Sequence, residues 1–143
     1  MLSMRFSRAG FARLLAILLL AGVTAVAKDG RDFSGFYTLT KVSQQGDQVR
    51  VTLTLQLFNY SDADAKQAVV RLQENAGMEL AGTFKPIPLL RDRQEAKVSR
   101  QFTVPRSEYE RWQQGTQPTL FITYHANGRR WERFIQATER PSL

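Results

Sequence analysis

Residues 49–57, VRVTLTLQL, decide the fold of this chain. Within them, Val49, Val51, Leu53, Leu55 and Leu57 alternate with four polar residues. Successive side chains of a β-strand point to opposite faces, so an alternation with a period of two predicts a strand with one buried and one solvated face. A strand of this kind is typical of an antiparallel sheet that packs on its apolar side only.

The same alternation recurs, less regularly, along the rest of the chain. Turn-forming polar residues separate the repeats at 44–47, 59–64 and 127–128, while Pro86 and Pro88 are expected to interrupt the pairing because proline donates no backbone hydrogen bond. This spacing predicts a single all-β, antiparallel β-sandwich of about seven strands. The predicted strands lie near residues 36–42, 49–57, 68–72, 80–84, 98–104, 120–124 and 129–137.

One short helix is predicted in a late loop of this sandwich. Ser107-Glu108-Tyr109-Glu110 follows Pro105 and matches a capping box, in which Glu110 reaches back to the Ser107 amide. Gly115 can end the helix. A short helix between two late strands is compatible with a crossover connection of the Greek-key kind.

Residues 1–27 have the pattern of a secretory signal peptide. Arg5, Arg8 and Arg13 form a positive region, residues 14–26 are almost wholly apolar, and Ala25-Val26-Ala27 matches a small-residue cleavage site. We therefore expect residues 28–143 to form the mature domain, in the periplasm or outside the cell. They contain no second apolar stretch long enough to span a membrane.

Composition narrows the classes of function. The 143 residues include no cysteine, which excludes disulfides, thiol nucleophiles and cysteine-bound zinc. Lysine and arginine number 20 against 13 acidic residues, a balance that on its own suits nucleic acid, but three of the basic residues belong to the predicted leader. Export argues against a nucleic-acid partner. The remaining positive charge suits an acidic protein, anionic lipid or acidic polysaccharide, or serves only to keep the domain soluble.

A family resemblance rests on residues 51–61, VTLTLQLFNYS, followed by Ala65, Ala68, Val70 and Leu72. This run resembles exported immunoglobulin-like modules of the fibronectin-III or CARDB kind, which show an alternating strand, an Asn-x-Ser turn and a second strand. The resemblance implies an immunoglobulin-like sandwich. It also implies roles in adhesion, spacing or docking rather than one fixed function.

The residues that could carry chemistry match no catalytic or metal-binding pattern. His125 is the single histidine and lies beside the Asn127-Gly128 turn, where a surface position is expected. Asp62 and Asp64 have a spacing found in calcium loops but lack the glycine and glutamate that an EF-hand needs. We predict that the chain is not an enzyme and binds no metal or cofactor; a small hydrolase would require a cleft with two titratable groups in opposed environments.

The last hairpin has two alternative registers. A two-residue Asn127-Gly128 turn pairs Tyr124 with Trp131 and Ile122 with Arg133 on the core face, which leaves Phe121 opposite Phe134 on the outer face. Arg133 then points inward and needs an acidic partner or an edge position. A three-residue turn exchanges the two faces of the last strand, so that Phe134 points inward while Trp131 and Arg133 point outward.

Either register leaves an exposed aromatic ring near arginine, which is the usual composition of a binding hot spot. The predicted binding residues are Phe121, Phe134 and Arg130 on the hairpin, joined by Tyr109 and Trp112 on the short helix. We expect a non-catalytic module that binds another envelope or secreted protein. The alternative is a carbohydrate- or anionic-surface-binding module, which needs two or three coplanar exposed rings. The same aromatic residues could instead only stabilise the sheet or the core.

Overall fold

The computed structural model of the protein describes residues 32–74 and 78–140, so the predicted signal peptide lies outside the described residues. In this part of the chain, nine strands and one short helix form a two-sheet sandwich, which confirms the all-β prediction. In chain order the elements are β1 Phe33–Gln45, β2 Gln48–Asn59, β3 Ala65–Glu74, β4 Glu79–Thr83, β5 Ile87–Leu90, β6 Glu95–Pro105, α1 Arg106–Gln113, β7 Thr119–Ala126, β8 Arg129–Phe134 and β9 Gln136–Glu139.

The first sheet has the strand order β6-β2-β1-β9, and the second has the order β4-β3-β7-β8, with β5 also paired to β3. Every described pair is antiparallel except β1 with β9, which run parallel from Ser34 opposite Gln136 to Tyr37 opposite Glu139. The chain thus crosses from the second sheet to the first between β8 and β9.

Strand β2 is the centre of the first sheet. It pairs with β1 on one side and β6 on the other over nearly its whole length. Its five alternating apolar residues are completely buried, as the sequence pattern predicts. The second sheet covers them with its own buried side chains, which include Ala68, Val70, Leu72, Leu120, Ile122 and Tyr124.

The structure corrects the prediction at three places, and its described residues form nine strands rather than about seven because β5 was not predicted and the last predicted strand is divided in two. Strand β1 begins at Phe33 rather than near residue 36, and this phenylalanine is completely buried. Pro88 lies inside β5, which is tolerated because β5 is an edge strand and does not need every backbone donor. The predicted last strand, 129–137, is divided into β8 and β9 because Ile135 marks the crossing between the sheets.

Helix α1 is present, but its predicted capping box is wrong. The helix begins at Arg106 after Pro105, without a side-chain capping hydrogen bond, and Glu108 is buried instead. The helix ends as predicted near Gly115, whose backbone has a φ of 103°. No helix within residues 32–74 and 78–140 is long and apolar enough to cross a membrane.

A fully buried asparagine joins β2 to the loops that follow it. The Asn59 amide nitrogen donates hydrogen bonds to the carbonyl oxygens of Ala63 and Leu90, both at 2.9 Å. Its Oδ1 accepts bonds from the Ser61 backbone amide at 2.9 Å and the Ser61 hydroxyl at 2.7 Å. Because both ends of the amide are satisfied, this polar group can be buried without a large penalty.

Replacing Asn59 with alanine is expected to lower the free energy of unfolding by about 3 kcal/mol, because two carbonyls and the loop donors lose their partner. Ser61→Ala removes only the hydroxyl of this network and is expected to cost about 1 kcal/mol. Urea denaturation of both variants checks the difference. If Asn59→Ala lowered the free energy of unfolding no more than Ser61→Ala does, the loop would tolerate removal of the amide.

Candidate functional site

The β7–β8 hairpin has the register of a two-residue turn. Asn127 and Gly128 both have positive φ, 53° and 74°, as a type I′ turn requires. The pairs run from Ala126 opposite Arg129 to Phe121 opposite Phe134. The first of the two predicted registers is therefore confirmed, with Tyr124 buried and Phe134 outward.

We call the outward side of this hairpin the hairpin face; it consists of Phe121, Thr123, His125, Arg130, Glu132 and Phe134. Phe134 is 42% exposed, and its ring meets the half-buried Phe121 ring edge-on at 5.7 Å and 76°. His125 and Arg130 are exposed beside the turn, which confirms the surface position expected for the histidine. Hence three predicted residues, Phe121, Phe134 and Arg130, share one face.

Arg71, which sequence reasoning missed, organises this face from the neighbouring strand β3. Its guanidinium lies 5.0 Å from the centre of the Phe121 ring, donates to the Thr123 hydroxyl at 3.0 Å and pairs with Glu132 at 3.0 Å. Together these contacts restrict its rotamers. Arg71 could be assigned to this face only once β3 was known to pair with β7, because that pairing places Arg71 opposite Phe121.

A shallow depression of about 430 Å³ lies along the same face, and Arg71, which lies over the Phe121 ring, is part of its lining. Its lining is polar and basic, with one apolar residue: Gln67, Val69, Arg71, Thr123, His125 and Arg130. An exposed aromatic pair beside a basic depression can take an apolar side chain next to an acidic group.

Trp112 and Tyr109 do not join this face, which corrects the predicted patch. Trp112 is only 3% exposed and belongs to the core, where its indole nitrogen donates to Glu108 at 2.9 Å. Tyr109 is half-buried and packs against the core, with its ring 6.2 Å from the indole. Glu108 supplies the acceptor that a buried indole needs, so the helix can turn its tryptophan inward.

The inward side of the hairpin contains a buried ion pair. Arg133, opposite Ile122, reaches Asp32 with 3.5 Å between Nε and Oδ2; their side chains are 16% and 9% exposed. The Arg133 guanidinium also lies 4.8 Å from the centre of the Trp131 ring. The acidic partner that this register requires therefore comes from the residue just before β1.

A cavity of about 140 Å³ at one end of the sandwich is bordered by Asp32, Trp131 and Arg133. Its lining also includes Tyr124, Ser61 and Ala126. Burial raises the pKa of the Tyr124 hydroxyl above its ordinary value, an effect that Arg133 opposes and Asp32 reinforces. The phenol thus remains neutral at physiological pH. It offers a hydrogen-bonding group here rather than a charge.

A second aromatic group, which sequence reasoning also missed, lies across the outside of the first sheet. Phe36, Phe58 and Tyr60 follow one another with ring centres 6.2 and 6.1 Å apart. Arg140 lies over the first ring and Arg93 over the last. We call these five residues the aromatic row. The useful signal was that Phe58 and Tyr60 continue the solvated face of residues 50–56.

The acidic loop after β2 is occupied by contacts within the protein. Asp62 pairs with Arg93 at 2.8 Å, and its backbone amide donates to Asp92. The Asp64 carboxylate accepts the Asp92 backbone amide at 2.9 Å. Within the described residues, no group of three or more histidine, aspartate or glutamate side chains is arranged to hold a metal ion.

Comparison with known proteins assigns no family to the chain. No protein-family model matches it, and neither does any curated protein. It is similar in strand arrangement to an inactive mutant of a GH20 exo-β-N-acetylglucosaminidase from Vibrio harveyi, with 15% identity and a TM-score of 0.42 over 75% of this chain. That match spans 18% of the Vibrio enzyme. An uncharacterised β-sandwich protein from Clostridium difficile is 10% identical, with a TM-score of 0.26 over 71% of this chain and 78% of that one.

Replacing Arg133 with methionine is expected to lower the free energy of unfolding by about 3 kcal/mol, because the Asp32 carboxylate stays buried without this partner. Arg129→Met is the matched control. Its guanidinium lies 5.2 Å from the same Trp131 ring but is exposed and makes no described ion pair, so a loss below about 1 kcal/mol is expected.

Thermal unfolding of the two variants gives this comparison. The double variant Asp32→Asn/Arg133→Met is expected to recover part of the loss because it removes the buried charge as well. Equal losses for Arg129→Met and Arg133→Met would show that stacking on Trp131, and not the ion pair, stabilises this end of the sandwich.

Proposed function

We propose that this chain is an exported, non-catalytic interaction module that docks through the hairpin face onto another protein of the cell envelope or the secreted fraction. The observation that carries the proposal is the 42% exposure of Phe134 beside Phe121, on the face that also carries Arg130. The export part is supported by the signal-like pattern of residues 1–27. The finer assignment to modules of the fibronectin-III or CARDB kind is supported by the alternation and turn at residues 51–61.

The arrangement of the face suits docking energetically. An exposed aromatic ring gains most when a partner removes it from water, and arginine adds directed hydrogen bonds at the same place. Arg71 is already restrained by Phe121, Thr123 and Glu132, so less side-chain entropy is lost when a partner binds. A preorganised rim around an exposed ring is therefore the feature that favours a protein partner.

The second candidate function, binding of carbohydrate or an anionic surface, is favoured by the aromatic row and not by the hairpin face. Sugar rings stack on exposed aromatic faces, yet Phe121 and Phe134 meet at 76°. In the aromatic row, Phe58 and Tyr60 are within 14° of parallel and Tyr60 is 45% exposed. Phe36 is 38% exposed but meets Phe58 at 89°, so the stacking platform consists of Phe58 and Tyr60. Of the two arginines at the ends of the row, Arg93 is paired with Asp62 and Asp92, so Arg140 is the one that suits an acidic ligand.

Phe134→Ala is expected to weaken binding to a retained envelope protein about tenfold, because it removes the exposed ring of the docking face. The measurement passes a detergent extract of the cell envelope over the immobilised protein, identifies what is retained and titrates it. Phe36→Ala is the matched control, since it removes a ring of similar exposure, also in edge contact with a second ring, on the opposite sheet.

Unchanged melting temperatures in both variants are required to attribute the effect to binding. If only Phe36→Ala weakened retention, the aromatic row would be the binding surface. Retention of lipid or polysaccharide alone, released by salt, would contradict protein docking and support the second candidate. Unfolding by Phe134→Ala would show that this ring stabilises the sheet.

A further inference from the structure

The hairpin face ends at the outer edge of β8, the last strand of the second sheet. The register of the hairpin determines which residues of β8 direct their backbone N–H and C=O groups toward β7 and which direct them outward. The Ile135 amide donates to the Leu120 carbonyl at 2.9 Å, and bonded pairs alternate with non-bonded pairs in an antiparallel ladder. Trp131 and Arg133 are therefore bonded to β7, while Arg130, Glu132 and Phe134 direct their backbone groups away from it.

This edge is a template for another strand. Among the described residues, no strand pairs with β8 on that side. One of its acceptors, the Glu132 carbonyl, receives the Arg133 side chain at 2.9 Å. The outward amide donors are provided by residues 130, 132 and 134, and their side chains belong to the hairpin face. A strand added here would extend that face directly.

The charges on β8 define what kind of strand fits. Its one acidic residue, Glu132, is paired with Arg71, and Arg133 is paired with Asp32. Among the described residues, Arg129 and Arg130 form no salt bridge, and both are exposed. They are adjacent in sequence and so point to opposite faces of the sheet. Two neighbouring carboxylates on an added strand would reach one arginine each.

We propose that the partner docks by adding an extended acidic segment as a further strand along the edge of β8, with its carboxylates beside Arg129 and Arg130 and an apolar side chain beside Phe134. This inference rests on the proposed function and specifies how the same site recognises its partner. A second copy of this chain fits poorly, because the one acidic residue of its β8 edge, Glu132, is already paired with Arg71 and the edge has no second carboxylate to offer.

The test uses the probe peptide Thr-Val-Thr-Thr-Val-Glu-Glu-Thr, acetylated and amidated at its ends, and a control peptide with two lysines in place of the glutamates. In an antiparallel register, the two glutamates of the probe lie beside Arg130 and Arg129 and its first valine lies beside Phe134. On binding of the acidic peptide, amide hydrogen exchange is expected to slow at Arg130, Glu132 and Phe134. Exchange at Trp131 stays unchanged because this amide is already bonded within the hairpin. Unchanged exchange at all three edge amides, or equal binding of the lysine peptide, would overturn the proposal.

A pair of variants isolates the backbone donor. Arg130→Ala removes only the side-chain charge, whereas Arg130→Pro also removes the outward amide. Proline is tolerated here because Arg130 and His125 form a non-bonded pair, so no ladder bond is lost. Arg130→Pro is expected to weaken peptide binding about tenfold more than Arg130→Ala. If the proline variant does not fold, amide exchange in the unaltered protein decides the question.

The outcomes separate this inference from the proposed function. Equal weakening by Arg130→Pro and Arg130→Ala, with Phe134→Ala still reducing retention of the envelope protein, would overturn strand addition and leave docking through side chains. Full retention by Phe134→Ala would overturn both. A dimer that Arg130→Pro dissociates, measured by sedimentation, would overturn the acidic partner by assigning the edge to a second copy.

Discussion

The structure depends on keeping one face of β2 away from water. Five alternating side chains of that strand are completely buried, and β1 and β6 pair with it on either side. A slip of one residue would move all five into solvent, so the hydrophobic effect selects the register of the whole first sheet. Asn59 ends the strand with a satisfied amide, which joins the buried layer to the loops at one end of the sandwich.

The candidate binding surface follows from the same kind of constraint in the second sheet. Burying Ile122 and Tyr124 under a two-residue turn determines the parity of β8. That parity places Arg133 inside, where Asp32 receives it, and Phe134 outside. The inward position of Arg133 and the outward position of Phe134 both follow from this register. The ion pair with Asp32 compensates the cost of burying Arg133, and so permits the register that leaves the aromatic pair exposed.

The faces of the strands could be predicted from the sequence because alternation is local, and the Asn127-Gly128 turn limited the pairing of the last hairpin to two registers, of which the structure has the one with a two-residue turn. Partners that come from distant parts of the chain could not be predicted. The ion pair of Asp32 with Arg133 joins residues 101 positions apart, and Arg71 becomes part of the site only through the pairing of β3 with β7. Trp112 is buried because α1 packs against β6 and β2 and its indole joins the core, which helical spacing alone does not predict.

The parallel pairing of β1 with β9 has a kinetic consequence. Ser34 lies beside Gln136, so the first sheet gains its last strand only when segments from opposite ends of the domain meet. Such contacts have high sequence separation and carry a large loop-closure cost, whereas the β1–β2 and β7–β8 hairpins form from neighbouring residues. We therefore expect hairpins to form early and β9 to dock late, so that the edge of β1 stays open during the interval in which the chain is most prone to aggregate.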